Sequence, residues 1–330
     1  MKAFSIAALG ALLALVVPDT AWAYCQTHTC EFSNTARCDI DPLTGCSSGG
    51  PVARWDTACV TYAVEETGSS RSRISPGGLS AVLNAGFRSW SDVECPSGGS
   101  PALAAAFRGE TSCDEVEYNC GAGDGNNNIA MFRDGASELS STTIALSTIM
   151  ARLSTGEILD VDIEINSRDF DFYVSDDQAR QDAHDLRLVL NHELGHFLGL
   201  SHTRVPGALM RAAYDGNDRF PAADDIEGIC RSVPSGNDPS CTAPALVDGG
   251  ACVGPDSACA PAVEQDETGE AAGCSYLAPR AHRSATQWTL SERAGWLLGL
   301  GFGLTIFLRG RFSSSRASAR GQRRAKMLHG

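Results

Sequence analysis

Between Leu188 and Thr203 the chain reads LVLNHELGHFLGLSHT. Three of the seven histidines in 330 residues fall in this stretch, His192, His196 and His202, and Glu193 lies among them. Leu186, Val189, Leu190, Leu194, Phe197 and Leu198 recur at spacings of three and four, which predicts a helix through His192, Glu193 and His196. Four residues make about one turn, so His192 and His196 stand one above the other on the same face. Two imidazoles so placed can hold one Zn²⁺ at ~2.0–2.1 Å. Gly199 can take positive φ and permits a sharp exit from the helix, which returns His202 as a third ligand. Three protein ligands leave a fourth position for water, the arrangement of a catalytic zinc rather than a structural one. Glu193 sits beside a ligand without being one, where a carboxylate can take a proton from that water.

Other elements must carry this helix. ACVTYAV (58–64) alternates and predicts a strand. After Pro76-Gly77-Gly78, the residues Leu79, Val82, Leu83, Phe87 and Trp90 have helical spacing. ALAAAFR (102–108) and NIAMFR (128–133) are short strand candidates. Between them GAGDGNNN reads as a turn, because the glycine a calcium loop needs is replaced by Ile129. TTIALSTIMA (142–151) and ILDVDIEIN (158–166) predict two strands joined across Ser154-Thr155-Gly156. The order of strand, helix, strands and motif helix implies an α/β sheet with helices packed on it.

At the histidine stretch the chain resembles the metzincin metallopeptidases, and the matrixins among them. The pattern H-E-x-x-H-x-x-G-x-x-H is met by His192, Glu193, His196, Gly199 and His202. Gly207-Ala208-Leu209-Met210 follows, and the resemblance implies that Met210 forms a methionine turn beneath the zinc. Arg54-Trp55 is similar to a matrixin domain start and Asp224 to Ile229 to the start of the last helix, so the likeness covers about 51–232. It implies an α/β (α+β) metzincin fold: a twisted, mixed, mostly parallel five-stranded sheet with an active-site helix and a C-terminal helix. Peptide would add antiparallel to the edge strand, which chain order places at Thr143 to Met150. Arg211 to Pro221 would wall the pocket for the residue after the scissile bond. The family's second, structural zinc finds only His184 in the expected interval, and its cysteine-bearing latency motif is missing. Arg37-Cys38-Asp39 is a faint echo of that motif, read here as part of a disulfide. Tyr214 lies four residues past Met210 and receives no catalytic role. Ca²⁺ is possible but not assignable: Asp160 and Asp162 are candidates, with exposed strand acids the favoured reading.

The ends of the chain speak to location. Lys2, the apolar run Ala3 to Val17 and Ala21-Trp22-Ala23 form a signal peptide over 1–23, with Tyr24 as the first mature residue. All thirteen cysteines follow it, a density that implies disulfides in an exported chain and leaves one cysteine over. Residues 24–50 form a Cys-rich N-terminal segment, and 51–232 the catalytic domain. Residues 233–292 read as a Pro/Gly/acidic stalk with small disulfide loops. After Glu292 eight basic residues and no acid remain; with a total charge of −14, residues 1–292 carry −14 − 8 = −22. That balance argues against nucleic acid as the main partner. Ala294 to Leu308 and the arginines behind it, within 293–330, form either a membrane anchor or, with Cys274 as the spare thiol, a sorting signal like those of some Gram-negative bacteria. The sequence thus describes an exported, extracellular or envelope-tethered zinc endopeptidase acting on protein or peptide. Its alternative is a non-catalytic, zinc-stabilised cell-surface binding module, against which the intact Glu193 speaks.

Overall fold

The computed structural model describes residues 24–254, apart from 34, 35, 215, 217, 218, 234, 235 and 237–239, together with the backbone of 274–275 and 286–290. The expected signal peptide, the apolar run from Ala294 to Leu308 and the arginine tail lie outside these residues. No helix among the described residues is long and apolar enough to cross a membrane.

Strand β1 (Cys25–Gln26) and the short pair β2 (Asp39–Ile40) and β3 (Ser47–Ser48) come first. Next come β4 (Cys59–Glu65), α1 (Pro76–Ser91), β5 (Ala104–Thr111), β6 (Ile129–Phe132), β7 (Thr143–Arg152) and β8 (Ile158–Ile165). Then follow β9 (Asp171–Tyr173), β10 (Ala183–Asp185), α2 (Leu186–Phe197), β11 (Leu200–Ser201), β12 (Ala213–Tyr214) and α3 (Ala223–Ser232). Two further strands, β13 (Cys274–Ser275) and β14 (Thr286–Leu290), close the series. The body of the sheet runs β7-β8-β6-β4-β5. Its β4–β5, β4–β6 and β6–β8 pairs are parallel and β7 runs antiparallel to β8, which is the mixed, mostly parallel five-stranded sheet expected.

Helix α1 begins where Ser75 Oγ accepts a hydrogen bond from Gly78 N at 3.1 Å, with Pro76 as its first residue. Leu83 and Phe87 of α1 share one core with Leu190 and Leu194 of α2 and with Val161, Ile163 and Ile165 of β8. The two helices meet closely at Gly86, where a Cβ would come within 2.5 Å of Leu194 Cδ1. Across the same contact Trp90 Nε1 donates to the Asn191 carbonyl at 3.0 Å.

Disulfides brace this body. Cys25–Cys46 and Cys30–Cys38 close the N-terminal segment on itself, and Cys95–Cys230 joins the chain after α1 to α3. Cys59–Cys241 and Cys113–Cys252 span 182 and 139 residues, so these two cysteines of the 233–292 segment bond back to the sheet domain instead of forming the small loops expected. Cysteine spacing cannot show pairing, and cross-links over such separations remove more unfolded-state entropy than short loops do. Cys120 is disulfide-bonded as well.

Asp160 and Asp162 are not exposed strand acids. The two-residue alternation of β8 does turn them from the apolar core, but the opposite face is covered too, and they are 3% and 1% exposed. Asp162 accepts from Ile129 N at 2.8 Å and from Glu117 N at 3.2 Å, and Glu117 in turn accepts from Val253 N and Gly254 N. Burial first, then the neighbouring carboxylates Asp162 and Glu117, push the Asp160 carboxyl well up. A carboxyl raised by folding stabilises fully below the unfolded pKa of ~3.9, and that contribution is lost as pH rises toward the folded value. Asp160→Asn is therefore expected to raise Tm by a few degrees at pH 7 and to leave it unchanged near pH 4. Thermal melts at the two pH values check this, and an equal shift at both would contradict it.

Candidate active site

Helix α2 starts at Asp185, whose Oδ1 accepts from Arg187 N at 3.1 Å and from Arg187 Nε at 2.9 Å. Its periodic leucines are buried, so the helix is held in the core along its length, and His192, Glu193 and His196 are fully buried with them. The helix stops at Gly199, which adopts φ +91° and donates to the His196 carbonyl at 2.9 Å. A Cβ there would lie 2.5 Å from the Ala53 carbonyl oxygen, so both conformation and space call for glycine. The returning chain forms β11, which pairs antiparallel with β1, Cys25 opposite Ser201, and delivers His202.

The three imidazoles converge. His192 Nε2 and His196 Nε2 are 3.1 Å apart, and each is 3.2 Å from His202 Nε2. An ion bound tetrahedrally at ~2.0–2.1 Å would set such nitrogens ~3.3 Å apart, so the triangle fits zinc as it stands. The other ring nitrogens fix two of the rings: His192 Nδ1 meets the Leu209 carbonyl at 2.7 Å and His196 Nδ1 the Leu200 carbonyl at 2.8 Å. With the proton at Nδ1, the Nε2 lone pair is left for a metal. Burial lowers all three imidazoles, His202 to about 4 and the other two well below the usual range, so they stand neutral as ligands must.

Glu193 shares this burial. Its Oε2 accepts from Ser147 Oγ of β7 at 2.6 Å, while its Oε1 is buried with no partner among the described residues. Burial pushes the carboxyl up to about 8, against the pull of the Ser147 hydrogen bonds. A buried carboxyl oxygen left without a partner calls for a group from outside the chain.

Beneath the site lies Met210. The carboxylate of Asp225, at the start of α3, accepts from Leu209 N at 2.7 Å, Met210 N at 3.0 Å and Ala222 N at 2.8 Å. It thereby fixes the turn whose Leu209 carbonyl orients His192. The Met210 thioether packs under Gly195, where a Cβ would fall inside it and 3.0 Å from Trp90 Cζ2. Gly195→Ala is expected to cost about 1–3 kcal/mol by overpacking and to lower zinc content. Denaturant melts and metal analysis read both, and an unchanged midpoint with full zinc would contradict the packing.

A sequence model described as Matrixin matches residues 54–232, more than half of the chain. The chain belongs to the matrixin family. The family supports a metalloprotease and implies zinc. A metalloendoproteinase of Arabidopsis thaliana, 5-MMP, is 53% identical over 47 residues, a match covering 14% of this chain and 13% of that relative. Within the matrixin fold, His192, Glu193, His196, Gly199, His202 and Met210 all come to one place. His184 lies apart, its ring 5.2 Å from that of Phe170 and 4.8 Å from that of Tyr214, and the Tyr214 hydroxyl accepts from Asp185 N at 3.1 Å. One other group among the described residues could approach a metal, Cys113, Glu117 and Cys252, but its two cysteines are bonded to each other. The roles of Asp225 and Ser147 were not legible in the sequence; the only signals were paired acids at the head of a helix and one of three hydroxyl residues in an otherwise apolar strand.

Proposed function

We propose that this matrixin is a zinc-dependent endopeptidase in which His192, His196 and His202 hold the metal and Glu193 is the general base. What carries the reading is the Nε2 triangle beside a buried glutamate with one carboxyl oxygen partnered and the other without a partner among the described residues. Bound zinc would supply a Lewis acid that lowers the pKa of water and polarises the substrate carbonyl. Glu193 Oε1 takes the proton from the attacking water and passes it to the departing amine nitrogen, as hydroxide adds to the carbonyl carbon and the C–N bond breaks. Ser147 holds Oε2 through this exchange, so the base keeps one orientation. Gly199 and Met210 position ligands and touch no reacting atom. The disulfides fit an oxidising, extracellular setting; export by residues 1–23 and attachment through Ala294 to Leu308 rest on the sequence alone. Mapping the products from an unstructured protein by mass spectrometry tests the reaction class. An endopeptidase yields new internal termini, and release of single terminal residues would contradict it.

A further inference from the structure

The rim nearest Glu193 is strand β7, since Ser147 at its centre touches the Glu193 carboxylate. One edge of β7 bonds to β8. An extended peptide approaching Glu193 has the other edge to bond to, where unpaired N–H and C=O groups would template it. That edge is already covered by this chain. Strand β14 lies antiparallel on it, with Thr286 opposite Ser147, Gln287 opposite Leu146, Trp288 opposite Ala145 and Thr289 opposite Thr143, and an irregularity between Trp288 and Thr289. At its far end β14 also pairs with β12, in the parallel sense, Thr289 opposite Ala213 and Leu290 opposite Tyr214. Strand β12 begins three residues past Met210, so β14 lies between the rim and the segment leaving the methionine turn. Strand β13 lies on the far end of β7, Cys274 opposite Arg152 and Ser275 opposite Ala151.

We propose that Thr286–Leu290 is the resident ligand of the β7 edge, an autoinhibitory strand that competes in cis with any peptide the site would take. This rests on the peptidase reading for its consequence, though not for its geometry. Backbone pairing on both sides explains how one short segment can fill such a groove: each edge contributes main-chain hydrogen bonds irrespective of sequence. Its tether to the rest of the chain raises its effective concentration, so a free peptide must outcompete a strand always at hand.

The test compares the full chain with its Gln287→Pro/Trp288→Pro variant. Consecutive prolines remove backbone donors on both sides of the strand. Hydrogen exchange followed by mass spectrometry is read first, on both forms carrying Glu193→Gln so that no self-cleavage intervenes. Those amides of residues 143–147 that face β14 should exchange at least tenfold faster in the variant, while those of α2 stay protected and report an intact fold. With Glu193 present, kcat/KM for a short peptide substrate should rise at least tenfold. Equal exchange at 143–147 in both forms would overturn the proposal, as would an unchanged kcat/KM in an active enzyme. Cleavage within 286–290 in the parent would also overturn it, making the segment a substrate. Faster exchange with no hydrolysis by either form would support the covered edge and count against the peptidase reading instead.

Discussion

Glu193→Gln should lower kcat roughly 10²- to 10⁴-fold, the range that general-base catalysis contributes, and leave zinc content and fold in place. The amide has nearly the shape of the carboxyl group it replaces, and its oxygen can still accept from Ser147 Oγ, now 2.6 Å from Oε2. The change is confined to chemistry: an amide cannot take a proton from water at neutral pH. The same comparison separates an enzyme from a zinc-stabilised binding module, in which the carboxyl and the amide would serve equally. Parent and variant cleaving at one rate would remove Glu193 from its role.

His202→Ala should act on the metal itself. Two of the three nitrogens sit on α2, one turn apart, and each is fixed at Nδ1 by a backbone carbonyl. The third arrives on the return beyond Gly199, and without it the triangle has lost a corner. Groups that merely orient a ligand are worth 10- to 100-fold in metal affinity, so loss of a ligand should exceed ~100-fold. Zinc per chain after dialysis should fall well below one. Folding should survive, since His202 stands outside the apolar core that α1, α2 and β8 share. Full zinc occupancy in His202→Ala would contradict the assigned ligand set.

What the sequence revealed follows a physical division. Local periodicity and spacing disclosed α2, the glycine exit and the return of His202, because each depends on residues within a turn or two. Three of the five central strands were likewise legible from alternation and β-branched runs, and the other two as short apolar stretches. Contacts between remote segments were not. Asp225 holds the Met210 turn from 15 residues away and Ser147 meets Glu193 across 46, and neither separation leaves a periodic trace. Asp160 and Asp162 alternate as exposed acids would, yet both are buried, with Glu117 beside them, a tertiary override of a correct strand pattern. The Cys241 and Cys252 pairings and the placing of Thr286–Leu290 on β7 depend on the same long-range closure, in a stretch whose composition reads as a stalk.

Metal titration of the hydrolytic activity reaches the heart of the matter. The full chain and its Gln287→Pro/Trp288→Pro form would be stripped of metal with a chelator, dialysed, and assayed on an unstructured protein as zinc is added back. A zinc peptidase built on His192, His196 and His202 is silent when stripped and regains cleavage in proportion to zinc, levelling off at one ion per chain. Cleavage that persists in the stripped protein, or none from either form at full zinc occupancy, would contradict it.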